Sequence, residues 1–351
     1  MTTILHIGQF NKLRLKRCFL NQIAPKISNG LIRNGYQVLN YDDRDMARLM
    51  GLGVSKRWGV WRMNRHLVSY CQKVLPDAII LGHADTVYPE TLAELRDRFP
   101  HLRVLQYNVD WIHPDCEIGN VQRIQSKLDV VDITLVTTGD QKLLRQFKRP
   151  GNIVGFLPNP TDNSIETANM YEIKEPTADL MYCAGNGTRQ FGEEEIPALE
   201  VVQRIQQKVP QVKLFAAGMT PDSTFSGAVY QRAFEQAGMG LNLSRRNDIF
   251  LYSSDRMAHI MGNGQLCLMD RRTGYDRLFE EDEIAFYSTP EELYALIWEF
   301  KKYPARRQKV ARKGTEKYRS LFNERVVARY MTDLLFYDFK AENYAFPTVA
   351  A

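Results

Sequence analysis

The chain has 351 residues, 44% apolar and 25% charged. That balance excludes a disordered protein and, at this length, points to two hydrophobic cores rather than one. A net charge of +5 favours anionic ligands or an anionic membrane surface, but it falls short of the concentrated basic face of a nucleic-acid-binding domain.

The opening MTTILHIGQF lacks the basic-then-apolar pattern of a signal peptide. No apolar run is long enough to span a bilayer. Cys18, Cys71, Cys116, Cys183 and Cys267 are scattered, with no CxxC pair and no histidines at metal spacing, and read as buried free thiols. A reducing, cytoplasmic setting is expected, with a peripheral contact at the inner face of the membrane left open.

Short apolar runs that fit buried parallel strands alternate with stretches of helical period, the pattern of an α/β protein. In chain order they are TILHIG, YQVLNY, AIILGH, RVLQYN, ITLVTT and IVGFLP, then DLMYCAG, VKLFAAG, GLNLS, GQLCLMD and EIAFYS. Both halves open alike, with a strand running into small residues, an amphipathic stretch and another strand. This is a weak internal duplication of a Rossmann-like unit. PNPTDNSIETANMYEIKEP has no apolar period and reads as a linker. The expected division is an N-terminal domain over residues 1–160, a linker over 161–177, a C-terminal domain over 178–330 and a helix with tail over 331–351. Two helical stretches follow the last strand. The basic one, KKYPARRQKVARKGTEKYRSLF, is read as a solvated face, with a membrane-docking surface as the alternative. The amphipathic NERVVARYMTDLLFYDF needs a packing partner.

In parallel α/β sheets, ligands sit beyond the carboxyl ends of the strands. The candidates are therefore residues just after each run. In the first half these are Gly8 and Gln9, the pair Asp42 and Asp43, His83 with Asp85, and Asp110 with Trp111. Asp85, Asp110 and His83 are candidate bases for an acceptor hydroxyl. Asp42 and Asp43 read as a solvated pair and not as a metal site. Trp111 and Trp61 are either sugar-stacking or core residues. In the second half the candidates are Gly185, Asn186, Gly187, Thr188 and Arg189, then Gly218, then Asn242, Ser244 and Arg245. Arg189 supplies the cation that a phosphate ester needs. Ser253 and Ser254 can cap a helix carrying Arg256 and His259, and Asp270 closes the next strand.

The ordered set LNLS, S-x-R-x-x-H-x-x-G-x-G, a strand ending in Asp270, LF, an acidic turn, FYS and xEEL resembles the C-terminal domain of group 1 glycosyltransferases, in the version of the CgeB-like spore-maturation proteins. In the first half, YNVDW and DITLVTT…FLPNPTD are similar to the same group. The resemblance implies a GT-B fold: two Rossmann-like domains facing each other across a cleft, the last helix crossing back to the first domain. It implies a nucleotide-sugar donor bound mainly by the C-terminal domain, with Arg256 at the donor phosphate; by their own positions Gly185, Asn186, Gly187, Arg189, Asn242, Ser244, Ser253, Ser254, His259 and Asp270 are the further candidate donor contacts. It implies a glycan or lipid-linked acceptor bound mainly by the N-terminal domain; by position after the first strand Gly8 and Gln9 would approach the acceptor or the donor phosphate, or form a simple βα turn, and Trp111 is a candidate acceptor contact. The glutamate pair E-x7-E of many relatives is absent, since His259 and Cys267 stand there. Glu280 and Glu281 are either donor contacts or an exposed acidic turn.

The expected reaction is metal-independent transfer of a sugar to a hydroxyl, with a bacterial surface glycan as the expected acceptor, no cofactor and no nucleic acid. Donors with uridine, guanosine or cytidine remain open. So do a sugar-nucleotide epimerase and a non-catalytic sugar-binding or coat-assembly protein of the same fold. A dinucleotide oxidoreductase is disfavoured because the first βα turn lacks G-x-G-x-x-G.

Overall fold

The structure, a computed structural model, describes residues 1–11, 13, 22–52, 55–112, 118–220 and 227–350. The described residues form two compact units, one running to Pro158 and resuming at Glu324, the other Asn159–Asn323. Cys18 and Cys116 lie outside the described residues. Cys71 and Cys267 are buried and Cys183 half-buried, all three as free thiols.

Unit 1 carries strands β1 (Thr3–Ile7), β2 (Gln37–Tyr41), β3 (Ala78–Gly82), β4 (Arg103–Asn108), β5 (Ile133–Val136) and β6 (Ile153–Phe156). Its helices are α1 (Ile23–Arg33), α2 (Asp43–Met50), α3 (Lys56–Val74), α4 (Pro89–Arg98), α5 (Ile118–Gln125) and α6 (Gln141–Arg145). The sheet is parallel throughout, in the order β2-β1-β3-β4-β5-β6. Both faces of a parallel sheet are covered by helices, so its central strands read as near-continuous apolar runs. All five residues of β3 are buried accordingly. Leu5, Ile7, Ile79, Leu81 and Val104 pack on one face with Met63, Leu67, Leu92 and Leu95.

Unit 2 carries β7 (Ala178–Cys183), β8 (Thr188–Phe191), β9 (Glu194–Pro197), β10 (Leu214–Ala217), β11 (Ala237–Asn242), β12 (Leu266–Asp270) and β13 (Ala285–Tyr287). Its helices are α7 (Ala198–Lys208), α8 (Gly227–Ala233), α9 (Asp255–Gly262), α10 (Pro290–Lys302) and α11 (Pro304–Phe322). The main sheet is parallel in the order β10-β7-β11-β12-β13, with β8-β9 a separate antiparallel pair. Leu180, Tyr182, Met239, Leu241 and Leu268 form its core with Val201, Ile205, Leu293 and Ile297. In each unit the second strand flanks the first on one side and the third flanks it on the other, so the duplicated opening reappears as duplicated topology.

Residues 161–177, expected to be a linker, are packed into unit 2. Thr161, Asp162, Glu166 and Met170 are buried. Asp162 N–H donates to Glu166 at 2.8 Å, Thr161 N–H to the Phe322 carbonyl at 2.9 Å and Met170 N–H to the Asn263 carbonyl at 3.0 Å. Hydrogen bonds close this segment, which is why no apolar period marks it.

Helix α12 (Glu324–Phe336) returns to unit 1 and lies on α1, where Arg33 pairs with Glu324 at 2.6 Å. Behind it the tail runs along β6: Phe156 N–H donates to the Thr348 carbonyl at 2.8 Å and Ala350 N–H to the Val154 carbonyl at 2.7 Å. That pairing covers a sheet edge that would otherwise offer unpaired backbone groups. The basic α11 is ion-paired at three of its cations: Lys317 meets Glu283 at 3.1 Å, Lys313 meets Asp282, and Arg306 meets Glu299. Among the described residues, no helix is long and apolar enough to cross a membrane.

Candidate functional site

In unit 2 the direction of strand progression reverses between β7 and β11. Such a reversal opens a crevice beyond the carboxyl ends of the strands. Arg256 spans it from the first turn of α9. Its Nε donates to the Cys183 carbonyl at 2.7 Å and its Nη1 to the Leu243 carbonyl at 2.9 Å, at the ends of β7 and β11. The guanidinium also lies 5.5 Å from the centre of the Tyr182 ring, a cation–π contact.

Tyr182 links Arg256 to a second arginine. Arg189 Nε donates to the Tyr182 hydroxyl at 3.1 Å, while its two terminal nitrogens donate to the carbonyls of Thr188 at 2.7 Å and Gly185 at 2.8 Å. Arg189 is buried. Arg245 is the third. A Cβ placed on Gly187 (φ +119°) would lie 3.8 Å from Arg245 Nη2 and 3.9 Å from Arg189 Nη1, so both guanidinium groups converge on that bare backbone.

Among the described residues the ion pairs of unit 2 engage other cations, and none engages Arg189, Arg245 or Arg256. The mutual repulsion shows in Arg189, whose pKa is lowered first by burial and then by Arg256 and Arg245, against an opposing contribution from Tyr182. An anion at this edge would relieve that repulsion. Ser254 caps α9, accepting from Met257 N–H at 3.3 Å, and its hydroxyl donates to Asn242 Oδ1 at 2.9 Å. Gly185 and Asn186 are exposed beside the cluster and Ser244 is half-buried.

Three expected donor residues are not brought into the cluster. Ser253 is buried and accepts from the Asn159 backbone N–H at 2.8 Å. His259 is buried among aromatics, with Nδ1 3.3 Å from the Tyr230 hydroxyl and its ring 5.4 Å from that of Phe234. Three residues further along α9, it sits about 4.5 Å deeper along the helix axis than Arg256. Asp270 is taken up by Arg272, at 2.6 Å. Glu280 and Glu281 form an exposed turn, with Glu281 paired to Arg271 at 2.6 Å.

In unit 1 the corresponding reversal lies between β1 and β3. Gly8 follows β1, and a Cβ there would stand 3.3 Å from the Gly82 carbonyl. Gln9 is half-buried beside it. The loop is fixed by Asp42, which accepts from the N–H groups of Phe10 and Asn11 at 2.8 Å each. Asp42 and Asp43 are therefore not a solvated pair. Asp43 is fully buried, accepts from the Thr86 hydroxyl at 2.6 Å, and has its pKa raised by that burial.

His83, Asp85 and Asp110 are brought together by a residue that no strand-end pattern marks, Arg123 on α5. Its Nη1 donates to Asp110 at 2.9 Å, its Nε stands 2.8 Å from Asp85 Oδ1, and its Nη1 lies 3.3 Å from His83 Nδ1. Arg44 also pairs with Asp85. His83 adopts φ +57°, a conformation rare for a non-glycine residue. Its Nε2 accepts from Val109 N–H at 3.3 Å. Burial lowers its pKa, Asp110 and Asp85 oppose that, and Arg123 and Arg44 add to it. Lys127, buried nearby, is likewise lowered by burial. Of the two carboxylates Asp110 is the more open, with its side chain 43% exposed against 22% for Asp85. Trp111 is half-buried next to it. Trp61 is neither core nor part of this cluster: it is 48% exposed and stacks on Trp58. Among the described residues, no group of three or more His, Cys, Asp or Glu is placed to hold a metal ion.

The sequence profile of the family described as "Glycosyl transferase-like" matches residues 200–333. No curated protein matches the sequence. Solved structures similar over nearly the whole chain include the sucrose-phosphate synthase of Thermosynechococcus elongatus, at 13% identity and TM-score 0.64, covering 95% of this chain and 98% of that one. A UDP-forming α,α-trehalose-phosphate synthase from Burkholderia xenovorans has 11% identity and TM-score 0.58, covering 97% and 100%. Anabaena HepE, solved in complex with UDP, has 8% identity and TM-score 0.56, covering 95% and 99%. The chain thus shares the GT-B fold of these structures over nearly its whole length, and its residues 200–333 match the glycosyl transferase-like profile.

Proposed function

We propose that unit 2 binds a nucleotide-activated sugar and that unit 1 supplies the acceptor hydroxyl, on a glycan or a lipid-linked precursor. The observation that carries the donor assignment is the set of three arginines without carboxylate partners, gathered where the strand order of unit 2 reverses. Cations fixed before reaction stabilise charge that develops on a departing phosphate. In the step proposed, the bond from the anomeric carbon to the donor phosphate oxygen breaks and the phosphate leaves with the electron pair. The acceptor oxygen bonds to the same carbon. Its proton passes to Asp110 if configuration inverts, or to the departing phosphate if it is retained. Arginines in place of a divalent cation make the transfer metal-independent. The proposed setting is the cytoplasm, with a peripheral contact at the inner face of the membrane. HepE, of the same fold, was solved with UDP, which makes uridine diphosphate the first nucleotide to try.

The test is thermal unfolding of the full chain with UDP, GDP and CMP in turn. A ligand that binds only the folded state raises its melting temperature by mass action. One nucleotide should stabilise the wild type and lose that effect in Arg256→Ala; no response to any nucleotide would sink the reading.

A further inference from the structure

We propose that the N-terminal half of α3, with the end of α2 beside it, docks unit 1 on an anionic phospholipid surface. In its first two turns α3 exposes Trp58 (44%) and Trp61 (48%), while Gly59, Met63, Asn64 and Leu67 turn inward. The two indoles stack with centroids 4.8 Å apart, and Arg62 lies 5.9 Å from the Trp58 ring centre. Leu49 and Leu52, 53% and 73% exposed, extend the apolar surface from α2. Exposed tryptophans are unusual on a soluble face, and their amphipathic rings suit the boundary between headgroups and acyl chains.

The charge around them fixes the occupant. Helix α3 carries Lys56, Arg57, Arg62, Arg65 and Lys73 and no Asp or Glu. Lys56, Arg57, Arg62 and Arg65 are exposed, and among the described residues none of them is in an ion pair. Basic residues flanking interfacial aromatics bind anionic lipid. On the basic helix α11, by contrast, Arg306, Lys313 and Lys317 are matched by Glu299, Asp282 and Glu283.

The face also lies at the proposed acceptor end. Asn64, one turn past Trp61, donates to the Thr86 carbonyl at 2.8 Å and accepts from Tyr88 N–H at 2.9 Å. Both are on the loop that follows His83 and Asp85. A chain docked this way meets a lipid-linked hydroxyl at the membrane surface. That last step rests on the function proposed above; the docking does not.

The full chain is sedimented with vesicles of phosphatidylcholine alone and with vesicles of phosphatidylcholine and phosphatidylglycerol in equal parts, without donor or acceptor. The wild type should pellet with the anionic vesicles only, and release as salt screens the cations. Trp58→Ala/Trp61→Ala should lower the partition by about tenfold or more, while its melting temperature and its nucleotide response stay unchanged. If the wild type ignores anionic vesicles, or the double variant pellets as well as the wild type, the docking face is wrong. A wild-type dimer that this variant dissolves would instead identify a contact between copies and overturn the lipid assignment. None of these outcomes touches the nucleotide assay, so docking and transfer stand or fall separately.

Discussion

Arg256 is suspended from the last residue of β7, its Nε donating to the Cys183 carbonyl at 2.7 Å. A second bond reaches the Leu243 carbonyl past β11. The side chain is therefore held by backbone at the point where the two strands part, and its orientation needs no ligand. Replacing Arg256 with alanine should lower kcat by about 10²–10³-fold. It should also cost about 1–3 kcal/mol of stability, because the Cys183 carbonyl loses its charged donor. Initial rates with the nucleotide sugar chosen by thermal shift, beside a denaturant titration, check both. Turnover that survives intact would contradict the donor assignment.

Arg245 offers the cleaner separation of function from folding. It is exposed, and among the described residues it has no ion-pair partner. Arg245→Ala should therefore change stability by no more than about 0.5 kcal/mol. Losing one charge-assisted contact to the donor should nevertheless weaken nucleotide affinity by about tenfold or more. Calorimetric titration with the nucleotide reads the second effect directly. Equal affinity in wild type and variant would leave Arg189 and Arg256 as the whole anion site.

His6 makes a pH prediction with a definite sign. It is fully buried, with Nδ1 2.8 Å from the Ser28 hydroxyl and Nε2 3.0 Å from the Tyr107 hydroxyl. Burial lowers its pKa from 6.5 to about 3. Between these values the unfolded chain binds a proton that the folded chain does not. Stability is thus unaffected by His6 above pH 6.5 and falls by about 1.4 kcal/mol per pH unit below it. His6→Gln removes this contribution, so its stability should decline less steeply than the wild type's from pH 6 to pH 4 in urea titrations. Parallel slopes would show that other groups set the acid limit.

The strands were legible because a doubly covered parallel sheet leaves continuous apolar runs, and each expected run became a strand of one of the two main sheets. The pair β8-β9 was not, since TRQF and EEIP are short and polar. Arg189 was visible as a cation just beyond a strand, and Arg256 as a cation in the first turn of a serine-capped helix. Arg123 was not: it lies 40 residues after His83 on a helix, and only tertiary packing aims it at Asp85 and Asp110. The opposite error fell on Ser253 and His259. Their spacing suits a cleft-facing helix, but His259 lies further along α9 among aromatics, and Ser253, which precedes the Ser254 cap, is drawn inward by Asn159; periodicity reports neither. The stretch 161–177 was misread for a related reason. Its buried groups are Thr161, Asp162 and Glu166, satisfied by hydrogen bonds that leave no apolar signature.

The return of α12 to unit 1 depends on a glycine. A Cβ on Gly30 would overlap the Glu324 carbonyl and crowd Ala328, because α1 and α12 cross with almost no gap. Gly30→Val should therefore destabilise the chain by about 1–3 kcal/mol, despite the better helix propensity of valine. The loss should appear in the urea midpoint of the full chain. An unchanged midpoint would show that the two helices can separate at little cost.

Asp110 decides between the two stereochemical routes. It is the open carboxylate of the unit 1 cluster, held by Arg123 at 2.9 Å with His83 Nδ1 at 3.7 Å. His83 Nε2 is already taken by the Val109 N–H, so a proton leaving an acceptor hydroxyl has Asp110 as its available carboxylate. If Asp110 is the base of an inverting transfer, Asp110→Asn should cut kcat by about 10²–10⁴-fold while the thermal shift from nucleotide stays as in the wild type. If the donor phosphate takes the proton instead, kcat should hold and only the acceptor KM should rise, through loss of one orienting contact. The anomeric configuration of the product, read by NMR, must agree: inversion with the first result, retention with the second. A large kcat loss together with retention would contradict both routes and remove Asp110 from the proton path.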